Sequence, residues 1–367
     1  MRRWPFLSAA LPMSVLLMAA AGASTPRPVS LPLTASTTNA IQATTVLTVG
    51  DLSSSIERFS DVVVERGTKW TVETPPGVAT NGGIVMANFG PRLVTATLPS
   101  QLLRFTPLAS TNDGATWVPG LFDGSIQRAP NALTQRRGIT ALLDAQGRLH
   151  ESLNGTSWHT VRLPKALQAA VLRQGPCRGR LVAVALTGAG PVLGRSCSGA
   201  VRSSAVTPTG TAMPTNAQSS TPRSTLRLEA TALGLREVVW LPKKHSVELH
   251  AITAGMAWHD SVVARATLEK VTATAVSMNG SVAVLGRIGD GSVLVQIGPT
   301  GVVTAFSSLP PNARAVVFSP SGTMQVLSVV DHVRRQIASL VTVWNVAGSK
   351  WMTTTSFGVQ VPYGSSH

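Results

Sequence analysis

Side chains capable of chemistry are few and scattered in this chain. His245, Glu248, His250, His259 and Asp260 form the one local gathering of groups that could ligate a metal. On a strand, Glu248 and His250 share one face while His245 takes the other, so the set is not preorganised and reads as a solvated sheet edge. Eight Asp and eight Glu are spread singly, and no two stand out as partners for general acid–base work. Asp113, Asp144 and Asp290 lie close to glycines and read as turn holders. The serines lack a G-x-S-x-G elbow, and neither a P-loop nor a dinucleotide fingerprint is present. Gly289-Asp290-Gly291 and Gly298-Pro299-Thr300-Gly301 are turn glycines rather than phosphate cradles. The expectation is no catalytic set, no metal and no cofactor.

The two cysteines, Cys177 and Cys197, bracket a hairpin: Leu181–Leu186, a turn at Thr187-Gly188-Ala189-Gly190, then Pro191–Ser196. A hairpin brings its outer ends together, so in an oxidising compartment the two thiols are expected to pair, contributing about 3 kcal/mol by closing that loop. The alternatives are two free thiols or a half-made metal site, although no C-x-x-C and no adjacent His supports the latter.

The compartment is read from the N-terminus. Arg2 and Arg3 precede an apolar run from Phe6 to Ala20, and Ala21-Gly22-Ala23 is a small-x-small cleavage site. Residues 1–23 are therefore expected to be a signal peptide, cleaved near Ala23, and the protein to be exported. An uncleaved anchor is the alternative, but Pro12 interrupts the run. No later segment is long and apolar enough to form a second membrane helix.

Elements that would position these groups are strands. Of 367 residues 44% are apolar, enough for a sizeable core and against disorder throughout, while 32 Gly and 24 Pro punctuate short Val/Ala/Leu/Thr runs. Net charge is +15, from 25 Arg and 6 Lys against only 16 acids. That balance suits an anionic cell-surface polymer as partner, but basic residues are not clustered and no aromatic-interleaved stripe appears, which argues against nucleic acid. Residues 24–45 read as a Ser/Thr/Pro-rich tether and residues 198–225 as a low-complexity insertion.

One turn recurs. Gly67-Thr68-Lys69-Trp70, Gly114-Ala115-Thr116-Trp117, Gly155-Thr156-Ser157-Trp158, Gly255-Met256-Ala257-Trp258 and Gly348-Ser349-Lys350-Trp351 share one spacing. Their glycines are 47, 41, 100 and 93 residues apart, and degenerate copies at Gly199 and Gly301 would split the two long gaps. Gly supplies a positive φ, a preceding Asn or Asp bonds back to nearby amides, and Trp opens the next strand facing a neighbouring sheet. Seven such units, at four strands each, predict an all-β, seven-bladed β-propeller of antiparallel blades over residues 46–363, with six blades as the alternative. Because little chain precedes Gly67, ring closure is expected to need Gly358–Tyr363 in the first blade.

Ser110-Thr111-Asn112-Asp113-Gly114-Ala115-Thr116-Trp117 resembles the Asp-box of bacterial neuraminidase-repeat propellers, Ser-x-Asp-x-Gly-x-Thr-Trp, with Asn112 at the first Asp. The copy ending at Trp158 is weaker. The resemblance implies a structural turn on the blade rim, away from any ligand, in a fold shared by sialidases, sortilin-like receptors and photosystem assembly factors. Sialidase-like hydrolysis would need a Tyr nucleophile, an Asp acid/base and three Arg; the one Tyr is Tyr363 and an Arg-Ile-Pro motif is missing. The expectation is an exported binding or scaffolding propeller, with its ligand where the blades converge. A carbohydrate-active enzyme with an atypical site and an assembly factor for another envelope protein are the alternatives.

Overall fold

The computed structural model describes residues 36–39, 41–50, 58–75, 83–98, 104–129, 131–162, 180–187, 190–197, 200–206, 212–214, 224–254, 258–333, 338–348 and 350–360. The signal-peptide residues 1–23 and Cys177 lie outside them, as do Gly199, Gly255 and Tyr363.

Twenty-eight strands form seven four-stranded antiparallel sheets, each built from four consecutive strands paired in chain order. The first holds β1 (Ser36–Thr38), β2 (Gln42–Gly50), β3 (Arg58–Arg66) and β4 (Lys69–Val72). The second holds β5 (Ile84–Phe89), β6 (Arg92–Thr97), β7 (Thr106–Thr111) and β8 (Val118–Phe122), and the third β9 (Leu133–Arg136), β10 (Ile139–Leu143), β11 (Leu149–Ser152) and β12 (His159–Thr160). In the fourth are β13 (Arg180–Thr187), β14 (Gly190–Cys197), β15 (Ala200–Val206) and β16 (Ala212–Pro214), and in the fifth β17 (Ser224–Thr231), β18 (Gly234–Leu241), β19 (Ser246–Ala254) and β20 (Trp258–Thr267). The sixth has β21 (Lys270–Val276), β22 (Val282–Ile288), β23 (Gly291–Ile297) and β24 (Val303–Phe306); the last has β25 (Ala313–Phe318), β26 (Met324–Val333), β27 (Ala338–Ala347) and β28 (Lys350–Gln360).

Near-continuous apolar runs become strands buried on both faces, because each sheet is sandwiched between two others. Along β22, Val282 and Val284 point into the core shared with the fifth sheet, whereas Ala283 and Leu285 point into the core shared with the last. Along β3, Val62 and Val64 face the second sheet, while Val63 joins Leu47 and Val49 against Val317, Val329 and Val343 of the last. That last contact closes the ring between its two ends.

The regular seven-bladed ring expected from the turn count is corrected at this closure. Six blades line the central channel with their inner strands, β5, β9, β13, β17, β21 and β25. The first sheet's inner strand does not take an equivalent place: β1 is drawn inward to pack on β21 as well as β25, while β2 touches both β25 and β5. The physical reason is composition. β1 is only Ser-Thr-Thr and brings no apolar side chain to wedge between neighbouring blades. Its hydroxyls instead donate to channel-lining carbonyls, Ser36 Oγ to Thr274 O and Thr38 Oγ1 to Phe318 O, each at 2.7 Å.

Three further boundaries differ from expectation. β28 pairs with β27 from Lys350↔Ala347 to Gln360↔Ala338, so this end of the chain completes the last sheet and not the first. β1 and the start of β2 fall inside the stretch read as a tether. The stretch read as an insertion contains β15, β16 and the start of β17.

Candidate functional site

In an up-and-down sheet, the connections from first to second strand and from third to fourth strand emerge at one end. The copies at Gly67, Gly114, Gly155 and Gly348 occupy third-to-fourth connections, and Trp258 of the fifth copy opens the fourth strand of its sheet. Gly67, Gly114, Gly155 and Gly348 adopt φ of 67°, 78°, 75° and 62°, and Gly301 shares that position in the sixth sheet with φ 92°. Position 199 falls instead between β14 and β15, a second-to-third connection. Of Trp258, at the start of β20, only the backbone is described.

Each described Trp of the repeat faces the preceding blade. Trp70 is buried and stacks on Phe357 of the last sheet, ring centroids 6.2 Å apart. Trp117 is half-buried against the core between the first two sheets, and Trp158 Nε1 donates to Leu121 O at 2.9 Å. Trp351 Nε1 donates to Ser308 O at 2.6 Å.

Within the turn carrying Ser110, Asn112 and Thr116, the working carboxylate is Asp113. Its Oδ1 accepts the amides of Ala115 and Thr116 at 2.9 and 2.8 Å and the hydroxyl of Thr111 at 3.0 Å. These bonds, led by the Thr116 amide, hold its carboxyl down at about 2. Asn154 does the same work before Gly155, accepting from the Thr156 and Ser157 amides at 3.0 and 2.8 Å. Asp144 also holds a turn. Burial pushes its carboxyl up, but His150, the Arg148 amide and the Arg148 guanidinium outweigh that and bring it to about 2.

Of the gathering around His250, Glu248 and His250 are buried and His245 is exposed, while the side chains of His259 and Asp260 lie outside the described residues. Glu248 and His250 share a face of β19, with His250 Nε2 3.1 Å from Glu248 Oε2, and the other Glu248 oxygen accepts from Arg265 Nε at 2.7 Å. His245 sits in the turn before β19 with φ 47°. Burial raises the Glu248 carboxyl, and bonds from Arg265 and His250 bring it below its ordinary value. No group of three metal-binding side chains occurs among the described residues.

Convergence occurs elsewhere, at the mouth of the central channel. First-to-second connections of the first six sheets surround a cavity of about 330 Å³, at the same end of the molecule as the Gly-x-x-Trp turns but on the axis instead of the rim. Thr37, Thr38 and Asn39 of β1 and its turn line it, with Asn88 and Phe89, Gln135 and Arg136, Glu229 and Thr231, and Ser277 and Met278. Gln135 Nε2 anchors its wall by donating to Ala87 O at 3.0 Å and Arg92 O at 2.6 Å.

Beneath the mouth lies Arg227, fully buried. It donates to Ser36 O and, at 2.5 Å, to Glu229 Oε1, and burial lowers its pKa while Glu229 opposes the shift. Two of its nitrogens, Nε and Nη1, are buried without a partner; so are Thr37 Oγ1, Thr274 Oγ1 and Arg136 Nε. A buried donor left unpaired costs about 1–3 kcal/mol. Further unpartnered buried atoms lie elsewhere, at Gln42, Glu65 and Gln325 among others, so the channel is one of several places where the fold departs from full polar satisfaction.

Sequence reasoning missed these residues because each belongs to an ordinary-looking turn. A second glycine series would have located them: Gly90, Gly138, Gly234, Gly280 and Gly322, with φ between 59° and 96°, recur at first-to-second connections.

No family model matches the chain, and no curated protein matches it. Solved structures do. A Lactobacillus plantarum protein shares 12% identity over 88% of this chain and 97% of its own, with TM-score 0.53. The β-propeller domain of Myceliophteria thermophila Cps50 (Swd1) shares 12% identity over 87% of this chain and 98% of its own, with TM-score 0.52. The fold is a β-propeller. At such identities the likeness extends to the fold alone. No helix among the described residues is long and apolar enough to cross a membrane.

Proposed function

We propose that the protein is an exported, non-catalytic binding propeller whose ligand enters the channel mouth framed by Arg136, Glu229, Phe89 and the β1 turn. The observation that carries this reading is the charge content of that mouth. Among the described residues it offers one carboxylate, Glu229, and that group is engaged by Arg227 at 2.5 Å and by Asn131 Nδ2 at 3.5 Å. Two-carboxylate hydrolysis needs a second acid facing the first across a substrate, and a sialidase-like site needs several arginines on one carboxylate. Neither set lines this cavity. What does line it is a balance of hydroxyl, amide, guanidinium and apolar groups, the composition of a recognition pocket. Export rests on Arg2-Arg3, the Phe6–Ala20 run and Ala21-Gly22-Ala23. The Cys177–Cys197 disulfide belongs to the same proposal.

Incubation of the purified protein with glycans and peptides of the producing cell's envelope tests the reading. Mass spectrometry of what is captured should return molecules chemically unchanged, and Ala232→Trp, which plugs the rim, should lose them. Release of a cleaved product in a Glu229-dependent manner would favour the hydrolase instead.

A further inference from the structure

Resting on that reading, we propose that the channel mouth selects a small amphiphilic carboxylate, its anion held by Arg136 and its apolar body by Phe89, Ile41 and Met278. Arg136 is half-buried in the cavity wall with its Nε unpartnered, and its one side-chain hydrogen bond among the described residues is a long one of 3.4 Å from Nη1 to Leu186 O. Its guanidinium carbon stands 6.0 Å from the Phe89 ring centroid, so the ring steadies the cation face-on while the Leu186 carbonyl takes only Nη1, and that at long range. Glu229, the one carboxylate in the wall, is already neutralised by Arg227 and does not compete for Arg136. A guanidinium with free, partly desolvated donors is suited to an ionised carboxylate, which accepts without donating.

The apolar half of the specificity is written on the rim. Ile41, Phe89 and Met278 belong to three different blades, yet each lines the cavity while 47, 42 and 40% exposed. Large apolar side chains left in water around one polar cavity mark a binding surface. Size follows from the cavity. Thr37 and Thr38 of the inward-drawn β1 take part in its lining, and a ligand must fit within about 330 Å³. A body the size of one or two fused rings with a single anionic group meets all three constraints.

Fluorescence titration with naphthoate tests this, with neutral naphthamide and cationic naphthylmethylammonium as matched probes. Naphthoate is expected to bind saturably, about tenfold or more tighter than the amide, and Arg136→Gln should erase that difference while leaving amide binding as it was. Ala232→Trp should abolish binding of all three. Equal binding of acid and amide, both lost in Ala232→Trp, would overturn the carboxylate preference and leave the mouth as the site. Saturable naphthoate binding indifferent to both substitutions would overturn the assignment to this cavity, and the absence of saturable binding by any probe would overturn both.

Discussion

Gly67 and Gly114 hold one position in two copies of the same turn, with φ of 67° and 78°, but their surroundings differ. A Cβ on Gly67 would meet open space; one on Gly114 would lie 2.3 Å from the Glu73 carboxyl carbon. That carboxylate is pinned by Arg66, whose Nε and Nη2 reach it at 2.9 Å each. Gly67→Ala should therefore cost only the left-handed backbone penalty, about 1–2 kcal/mol, and Gly114→Ala distinctly more, because an ion pair fixed on the first sheet must move. Paired urea unfolding curves check the order; equal losses would mean that Glu73 swings aside freely. The identity of these glycines was legible in the sequence, since φ > 0 leaves few other choices. Which aspartate works the turn was not: Asn112 and Asp113 are adjacent and chemically alike, and only the backbone path decides that Asp113 accepts the amides.

At the scale of elements, the seam between the first and last sheets carries most of what alternation alone could not show. In β3, Asp61 and Glu65 share the face of Val63, and both are buried, because the last sheet packs over that face. Asp61 Oδ1 accepts from Thr74 Oγ1 at 2.8 Å, Oδ2 has no partner, and burial raises the carboxyl to about 6 against that one bond. Glu65 is raised by the same cause, partly opposed by Gln325. A carboxyl whose pKa is higher folded than unfolded opposes folding above the folded value, and proton uptake relieves it as pH falls toward the unfolded one. For Asp61 the relief amounts to ~3 kcal/mol between roughly pH 7 and pH 4. Stability should thus rise on acidification from pH 7 to pH 5, before depressed groups such as Asp144 begin to titrate, and Asp61→Asn should flatten that rise. Denaturation midpoints across this range give the answer, and an unchanged slope in the variant would place the titration elsewhere.

For the whole molecule, β-class and blade-sized repeats were legible, because Gly and Trp at fixed spacing carry their geometry with them. The closure was not. A three-residue Ser-Thr-Thr strand has no periodicity to detect, and its place depends on carbonyls of Thr274 and Phe318, more than two hundred residues away. The mouth was hidden for the same reason: Phe89, Arg136, Glu229 and Met278 become neighbours only once the ring closes. The excess of arginine adds a long-range attraction for anions, which favours encounter without choosing the partner. On the proposed reading, choice falls to the axis, at the end where the first-to-second turns meet. Site-specific photo-crosslinking in the producing cell tests that claim most directly, with the reactive group placed in turn at Ala232 on the mouth and at Lys244 in a second-to-third connection at the opposite end. Adducts from Ala232 and none from Lys244 are the predicted result; adducts from Lys244 alone would contradict it.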